Sequence, residues 1–324
     1  MRLWKLRFSM LGTLAIIIGV STAFFALILG YLGLLNIASL IVFVAFFNIV
    51  QWLFAPHLIN ALYKVREVKH GDSPGLYRMV ERLSTESGIK MPKLGIANIP
   101  IPNAFAYGSP ISGSRVAVTK GLLDTLGNEE VEAVLGHELG HLKHRDVQVM
   151  MLVSFLPSLF YLIGRSAMFS AYYGGYGSDR RNGGATLLIG TASMLMYFVL
   201  TLFTLGLSRL REYYADRHSV SIVEDGSRKL SEGLAKIVSK TGRMKIRRRR
   251  EAFKFNSFKT LFISDPDRAE SDAAQIAENA LATSDQALVQ KLLSRKVTTG
   301  SRIMEIFSTH PNVTKRLRAL QELP

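Results

Sequence analysis

The chain contains no cysteine. That excludes disulfides and thiolate metal ligands, and it agrees with a reducing cytoplasmic setting. Charge is also missing over long stretches. From Phe8 to Tyr63 there is no Asp, Glu, Lys or Arg, enough apolar chain for two membrane spans of about 20 residues each. Leu11–Leu29 and Leu34–Phe54 are the expected spans, with a turn at Gly30–Gly33. A cleaved signal peptide is the competing reading of the first, but a second apolar stretch follows at once and no small-residue cleavage site is evident. Val147–Gly164 and Asn182–Ser208 are likewise uncharged. They are read as a third and a fourth span or, alternatively, as a buried or interfacial hairpin. No P-loop pattern is present, so no nucleotide is expected. No nucleic-acid fold signature surrounds the basic run Lys245–Arg250, so nucleic acid is not expected either.

Against these absences stands one dense motif, His137-Glu138-Leu139-Gly140-His141. Histidines at i and i+4 share one helix face, so their imidazoles can converge on one metal ion. The glutamate beside the first can reach a metal-bound water as general base. A helix is expected here: Glu129, Glu130 and Glu132 follow Gly127-Asn128, and Val131, Val134, Leu135, Leu139 and Leu142 recur at helical spacing. A catalytic zinc needs a third protein ligand. His144 sits at i+7, and an H-x-x-G-x-x-H continuation is absent. Glu212 is the better candidate. Glu212 and Asp216 lie at i and i+4, so one carboxylate can bind metal while the other orients a ligand histidine.

The spacing of motifs and apolar runs carries a topological argument. The motif precedes the third run and Glu212 follows the fourth. Two crossings return the chain to the side it left, whereas one would separate the ligands by a whole bilayer. Basic residues flank the spans on that side: Arg2, Lys5, Arg7, Lys64, Arg66, Lys69, Lys143, Arg145, Arg209 and Arg211. The first opposite loop has no charge and the second has Arg165, Asp179, Arg180 and Arg181; the imbalance places both termini and the metal site in the cytoplasm, with Tyr172, Tyr173 and Tyr176 at the opposite interface. The net charge of +15 fits anionic lipid headgroups, and the run Lys245–Arg250 reads as a lipid patch or a solvated loop.

Four segments follow: spans 1 and 2 in 1–63, a first cytoplasmic part in 64–146, an apolar hairpin in 147–208, and a second cytoplasmic part in 209–324. In the first cytoplasmic part, Ser73–Ser87 reads as a helix ended by Gly88. Lys93–Ala97, Ala104–Tyr107 and Arg115–Thr119 read as strands, with turns at Gly108-Ser109-Pro110 and Ser112-Gly113. A small sheet beside a metal helix offers a substrate peptide an edge to pair with. In the second part, Ser227–Lys240 reads as a helix, Pro266–Leu293 as polar with helical stretches, and Asp265-Pro266-Asp267 as a turn.

These residues carry a resemblance. Pro102–Ala106, Val118–Leu123, His137–His141 with Asp146, Arg211-Glu212-x-x-Ala215-Asp216 and Thr309-His310-Pro311 stand in the order found in HtpX-type membrane zinc metalloproteases. That family is related to the CAAX prenyl protease. The resemblance implies a mainly α integral membrane protein with four transmembrane helices and a gluzincin-type protease domain carrying a small β-sheet. It implies one zinc held by His137, His141 and Glu212, with Glu138 as general base. Asp216 and Arg211 would stand behind the ligands, Asn103 and Ala104 would lie on the strand that holds substrate, and His310 would face the oxyanion or the substrate. The substrates implied are damaged or misfolded membrane proteins. Residues 246–299 match no motif of the family. Two competing readings remain: a processing peptidase with a narrow substrate, and a non-catalytic metal-binding scaffold or transporter. Four charge-free spans argue against a transport path, and a scaffold has no use for Glu138.

Overall fold

The computed structural model describes residues 37–173, 183–247 and 284–323. The expected first span, the turn at Gly30–Gly33, Tyr176, Arg248–Arg250 and the turn at Asp265-Pro266-Asp267 lie outside them. The chain divides into two units, Met1–Gln51 with Leu152–Thr201, and Trp52–Met151 with Leu202–Pro324.

Three long helices dominate: α1 (Ile37–Tyr63), α5 (Asp146–Tyr173) and α6 (Gly183–Ile222). The second expected span falls in α1, but the helix does not stop at Phe54. It continues through Pro56 to Tyr63, where Tyr63 packs on Phe105 at a ring distance of 5.1 Å. Among the described residues, Asp146–Tyr172 and Gly184–Ile222 are long and apolar enough to cross a membrane. In the first unit α5 and α6 approach closely. A Cβ at Gly190 would stand 3.1 Å from the backbone of Met168, and one at Gly164 3.1 Å from the carbonyl of Gly190. Small residues at such crossings are what lipid-embedded helix pairs use. Tyr161 packs against Tyr197 with tilted rings 5.2 Å apart, while Leu187, Leu188, Leu195 and Phe198 face outward, which suits contact with lipid tails rather than water.

The second unit is built on a sheet of order β1-β2-β4-β3, from β1 (Val65–Glu67), β2 (Lys93–Ala97), β3 (Ala104–Ser109) and β4 (Gly113–Thr119). β2 and β4 run parallel, and the other two pairings are antiparallel. The hairpin β3–β4 turns more tightly than its sequence suggests. Gly108 and Ser109 belong to the strand, and Gly113 (φ +72°) supplies the left-handed residue after the turn. β1 is too short to leave a periodic signal. β3 is an edge strand, so one side of its backbone is open to another chain.

Helix α2 (Pro74–Ser87) begins with Pro at its first position and ends at Gly88, φ +67°. The Gly88 and Ile89 N–H groups close on the carbonyls of Thr85 and Ser84, a Gly-terminated cap that leaves few orphan acceptors. Its Leu76, Val80 and Leu83 are buried at helical spacing. After α3 (Lys120–Leu123) comes α4 (Asn128–Lys143), which carries the H-E-x-x-H sequence. Glu130 accepts the Gly127 N–H at 2.8 Å, capping the helix start. α4 is buried against α2, β3, β4 and α7 (Gly226–Arg247). The helix expected over Ser227–Lys240 thus extends as far as Arg247. α8 (Asp285–Leu293), α9 (Thr299–Ile306) and α10 (Val313–Gln321) complete the unit. Val134, Leu135, Leu139, Leu230, Leu234, Leu292, Leu317 and Leu320 form a continuous core beneath the motif helix.

Candidate metal centre

The motif helix meets α6 through small residues. A Cβ at Gly140 would stand 3.1 Å from Ala215 Cα, and one at Gly136 3.0 Å from Ser219 Oγ. Ser219 Oγ also donates to the Ala133 carbonyl at 2.6 Å. This close crossing brings Glu212 to the two histidines. His137 Nε2 and His141 Nε2 are 3.1 Å apart. Glu212 Oε2 lies 3.7 Å from His137 Nε2, and Glu212 Oε1 3.5 Å from His141 Nε2. Ligands about 2.0–2.1 Å from a tetrahedral zinc are about 3.3 Å from one another, so the three side chains are spaced as such ligands are. All three could hold one ion. Glu212 Oε2 is buried, with Arg316 Nη1 3.1 Å away, and its other oxygen, Oε1, faces His141. His144 turns away and binds the Gly140 carbonyl.

Behind the ligands each histidine has an anionic partner. His137 Nδ1 lies 2.9 Å from Asp216 Oδ1, and His141 Nδ1 lies 2.5 Å from Asp146 Oδ2. These contacts aim the Nε2 atoms at the centre. Asp146 is delivered by the start of α5, immediately after Arg145 in the left-handed region (φ +55°). Arg211 Nε sits 3.0 Å from Asp146 Oδ1, so Arg211 acts on His141 through Asp146.

Arg316, on α10, carries no signal in the motif pattern, yet it is only 2% exposed. Its Nε and Nη2 reach the two oxygens of Asp216, both at 2.6 Å, and its Nη1 reaches Glu212 Oε2 at 3.1 Å. The one trace it leaves in the sequence is its place on the buried face of α10 with Leu317 and Leu320.

His310 is buried, with Nε2 3.7 Å from Glu212 Oε1 and Nδ1 2.9 Å from Thr309 Oγ1. Asn103 lies one residue before β3 rather than within it and is fully buried. Its backbone N–H donates to Thr119 Oγ1 and its carbonyl accepts from the Thr119 N–H, both at 2.9 Å. Ala104 follows, paired with Val118. Two residues on, the Ala106 N–H reaches the Glu138 carboxylate, so β3 borders the centre.

The local field favours a cation. Burial pushes the Glu138 carboxyl up. Burial also opposes charge on His141, but hydrogen bonds to Asp146 and Glu212 outweigh it and hold the imidazole near a pKa of about 10. Glu212 is drawn well below the usual carboxylate range: burial opposes this, but His310, Arg316 and His141 prevail. Asp216 is likewise lowered, by Arg316 against burial. The carboxylates of Asp146 and Glu212 that raise His141 are the same groups that would favour a divalent ion in place of the proton. The other acidic group among the described residues, Glu130, Glu232 and Asp285, is occupied differently. Lys236 Nζ lies 2.7 Å from Glu130 and 2.8 Å from Asp285.

Two histidines and a glutamate converging on one point, with a further glutamate beside them, define a metal-dependent hydrolase. Residues 72–324 match the model of Peptidase family M48. The chain belongs to that family and is a metallopeptidase. It is 36% identical over 305 residues to a protease HtpX homolog of Thermoplasma acidophilum, covering 91% of this chain and 90% of the relative. It is 40% identical over 284 residues to one from Aeropyrum pernix, covering 85% and 82%. A protease HtpX homolog 2 of Sulfurisphaera tokodaii matches at 38% identity over 98% of this chain and 97% of its own. The crystal structure of S. mikatae Ste24p shares the fold, with a TM-score of 0.56 at 17% identity. That match covers 98% of this chain and 66%, just under two thirds, of Ste24p.

Proposed function

We propose that the protein is a zinc endopeptidase embedded in the cell membrane, cutting unfolded or damaged membrane proteins on the cytoplasmic side. The observation that carries the reading is the convergence of His137, His141 and Glu212 beside Glu138. His137, His141 and Glu212 would hold one zinc ion, oriented by Asp216 on one side and by Asp146 with Arg211 on the other. When bound there, zinc polarises the scissile carbonyl and lowers the pKa of water toward about 7. Glu138 takes the proton of the attacking water and returns it to the leaving nitrogen. His310 lies beside the same centre and donates to the developing oxyanion. The open side of β3, beginning at Asn103 and Ala104, holds the substrate backbone as an added strand. That contact selects an extended chain rather than a particular sequence.

Four spans place both termini and the zinc site in the cytoplasm, as the basic residues beside the apolar runs favour. Anionic headgroups are the partner of the basic surface; neither nucleotide nor nucleic acid is needed.

The test is cleavage of unfolded casein by the full chain in detergent with zinc restored, beside Glu138→Gln, with bound zinc measured in both. Cleavage by the native chain alone, with zinc in both, is expected. Zinc in both and cleavage by neither would favour a narrow processing peptidase. No zinc in either would overturn the reading.

A further inference from the structure

α9 is amphipathic in an unusual place. Its buried side carries Glu305, which accepts the Asn312 N–H at 3.2 Å and pairs with Lys315 at 2.6 Å. Its other side exposes Ile303 (54%), Ile306 (43%) and Phe307 (41%). Positions i, i+3 and i+4 share one face, so these three form a single apolar patch. Lys296 and Arg302 are exposed on the same short segment. Its one carboxylate, Glu305, is paired with Lys315. The segment therefore presents apolar and cationic groups to its surroundings.

What the patch faces is indicated by Arg209. That residue donates to the carbonyls of Glu305, Ile306 and Ser308 at 2.8, 3.0 and 2.8 Å. It is also the first charged residue after the uncharged run Asn182–Ser208 of α6. The last turn of α9 is thus fastened to the point where α6 leaves its apolar stretch. On α6 itself, Phe203 and Leu210 are 72% and 57% exposed on either side of that point.

We infer that α9 is an interfacial membrane anchor, its Ile303–Ile306–Phe307 face lying in the headgroup layer of an anionic bilayer. An exposed apolar face flanked by lysine and arginine is the composition of helices that lie in that layer. His310 is three residues beyond Phe307, so the anchor holds the His310 loop against the membrane surface. The centre then opens onto chains emerging from the bilayer. The inference rests on the reading of α6 as a membrane helix.

The absence of cysteine allows a direct test on the full chain in nanodiscs containing phosphatidylglycerol. Single substitutions Ile303→Cys, Ile306→Cys and Phe307→Cys would each carry a nitroxide label. Leu195→Cys serves as the reference within the apolar run, and Lys93→Cys as the reference in water. Accessibility to oxygen and to a water-soluble nickel chelate is then read by power-saturation EPR. The α9 labels should show several-fold lower nickel access and higher oxygen access than Lys93→Cys. Labels on α9 that match Lys93→Cys, while Leu195→Cys remains lipid-exposed, would overturn the anchor alone. Low access to both reagents would mean that protein covers the face, and would also overturn it. Water access at Leu195→Cys would overturn the membrane reading and the anchor with it.

Discussion

Arg316 grips both oxygens of Asp216 at 2.6 Å across 100 residues of sequence. Asp216 in turn holds His137, and the third arm of the same guanidinium reaches Glu212. One buried cation therefore balances two carboxylates that would otherwise repel each other. Removing one member of a buried charge network costs about 3–5 kcal/mol. Arg316→Met should lower the denaturation midpoint accordingly and weaken zinc binding measured by chelator competition. Arg316→Lys keeps the charge but loses the planar fork, and should fall between the two.

Asp146 is the corresponding support for His141. Asp146→Asn should reduce zinc affinity about 10- to 100-fold, the usual effect of losing such a partner. Arg211→Met should have a smaller effect in the same titration, because Arg211 reaches the histidine only through Asp146.

Gly140 tests the helix crossing. An alanine there would gain about 1 kcal/mol of helix propensity. Its Cβ would stand 3.1 Å from both Ala215 Cα and His218 Cβ, and such overpacking costs about 1–3 kcal/mol. Overpacking prevails, so Gly140→Ala should melt earlier and bind zinc more weakly. Gly75→Ala meets nothing within 4 Å and should leave the melting temperature unchanged or slightly raised.

These contacts show what the sequence disclosed and what it hid. Motif spacing, with the expectation that two apolar runs return the chain to one side, pointed to His137, His141 and Glu212, because i, i+4 geometry is local; the three side chains do lie together. The Ser73–Ser87 helix was legible from its periodicity and from Gly88 at its end. Arg316 was not, because a buried arginine among Lys315 and Arg318 looks like one more solvated cation until its partners are known. β1 was hidden by its length, since Val65–Glu67 is too short for alternation. The extension of α1 to Tyr63 was hidden by Pro56, which suggests a stop but is accommodated inside the helix.

His218 predicts a pH dependence. It is buried, 2.9 Å from Ser87 Oγ. Burial, with Lys143, His144 and His137 nearby, lowers its pKa from 6.5 to about 4. Between these values the unfolded chain binds the proton and the folded chain does not, so stability falls as pH drops from about 6.5 toward about 4. His218→Gln cannot titrate and should flatten that part of the profile in thermal melts. An unchanged profile would assign the slope to other groups.

The centre is assembled from four places in the chain: α4, the start of α5, α6, and the segment carrying His310 and Arg316. Arg316 lies 179 residues after His137. A ribosome makes them in that order, so the H-E-x-x-H helix exists long before its third ligand, and longer still before the cation that balances it. No fragment emerging early holds a complete site. All three candidate ligands are thus made before Arg316, and the charge of the centre is balanced only once α10 is in place.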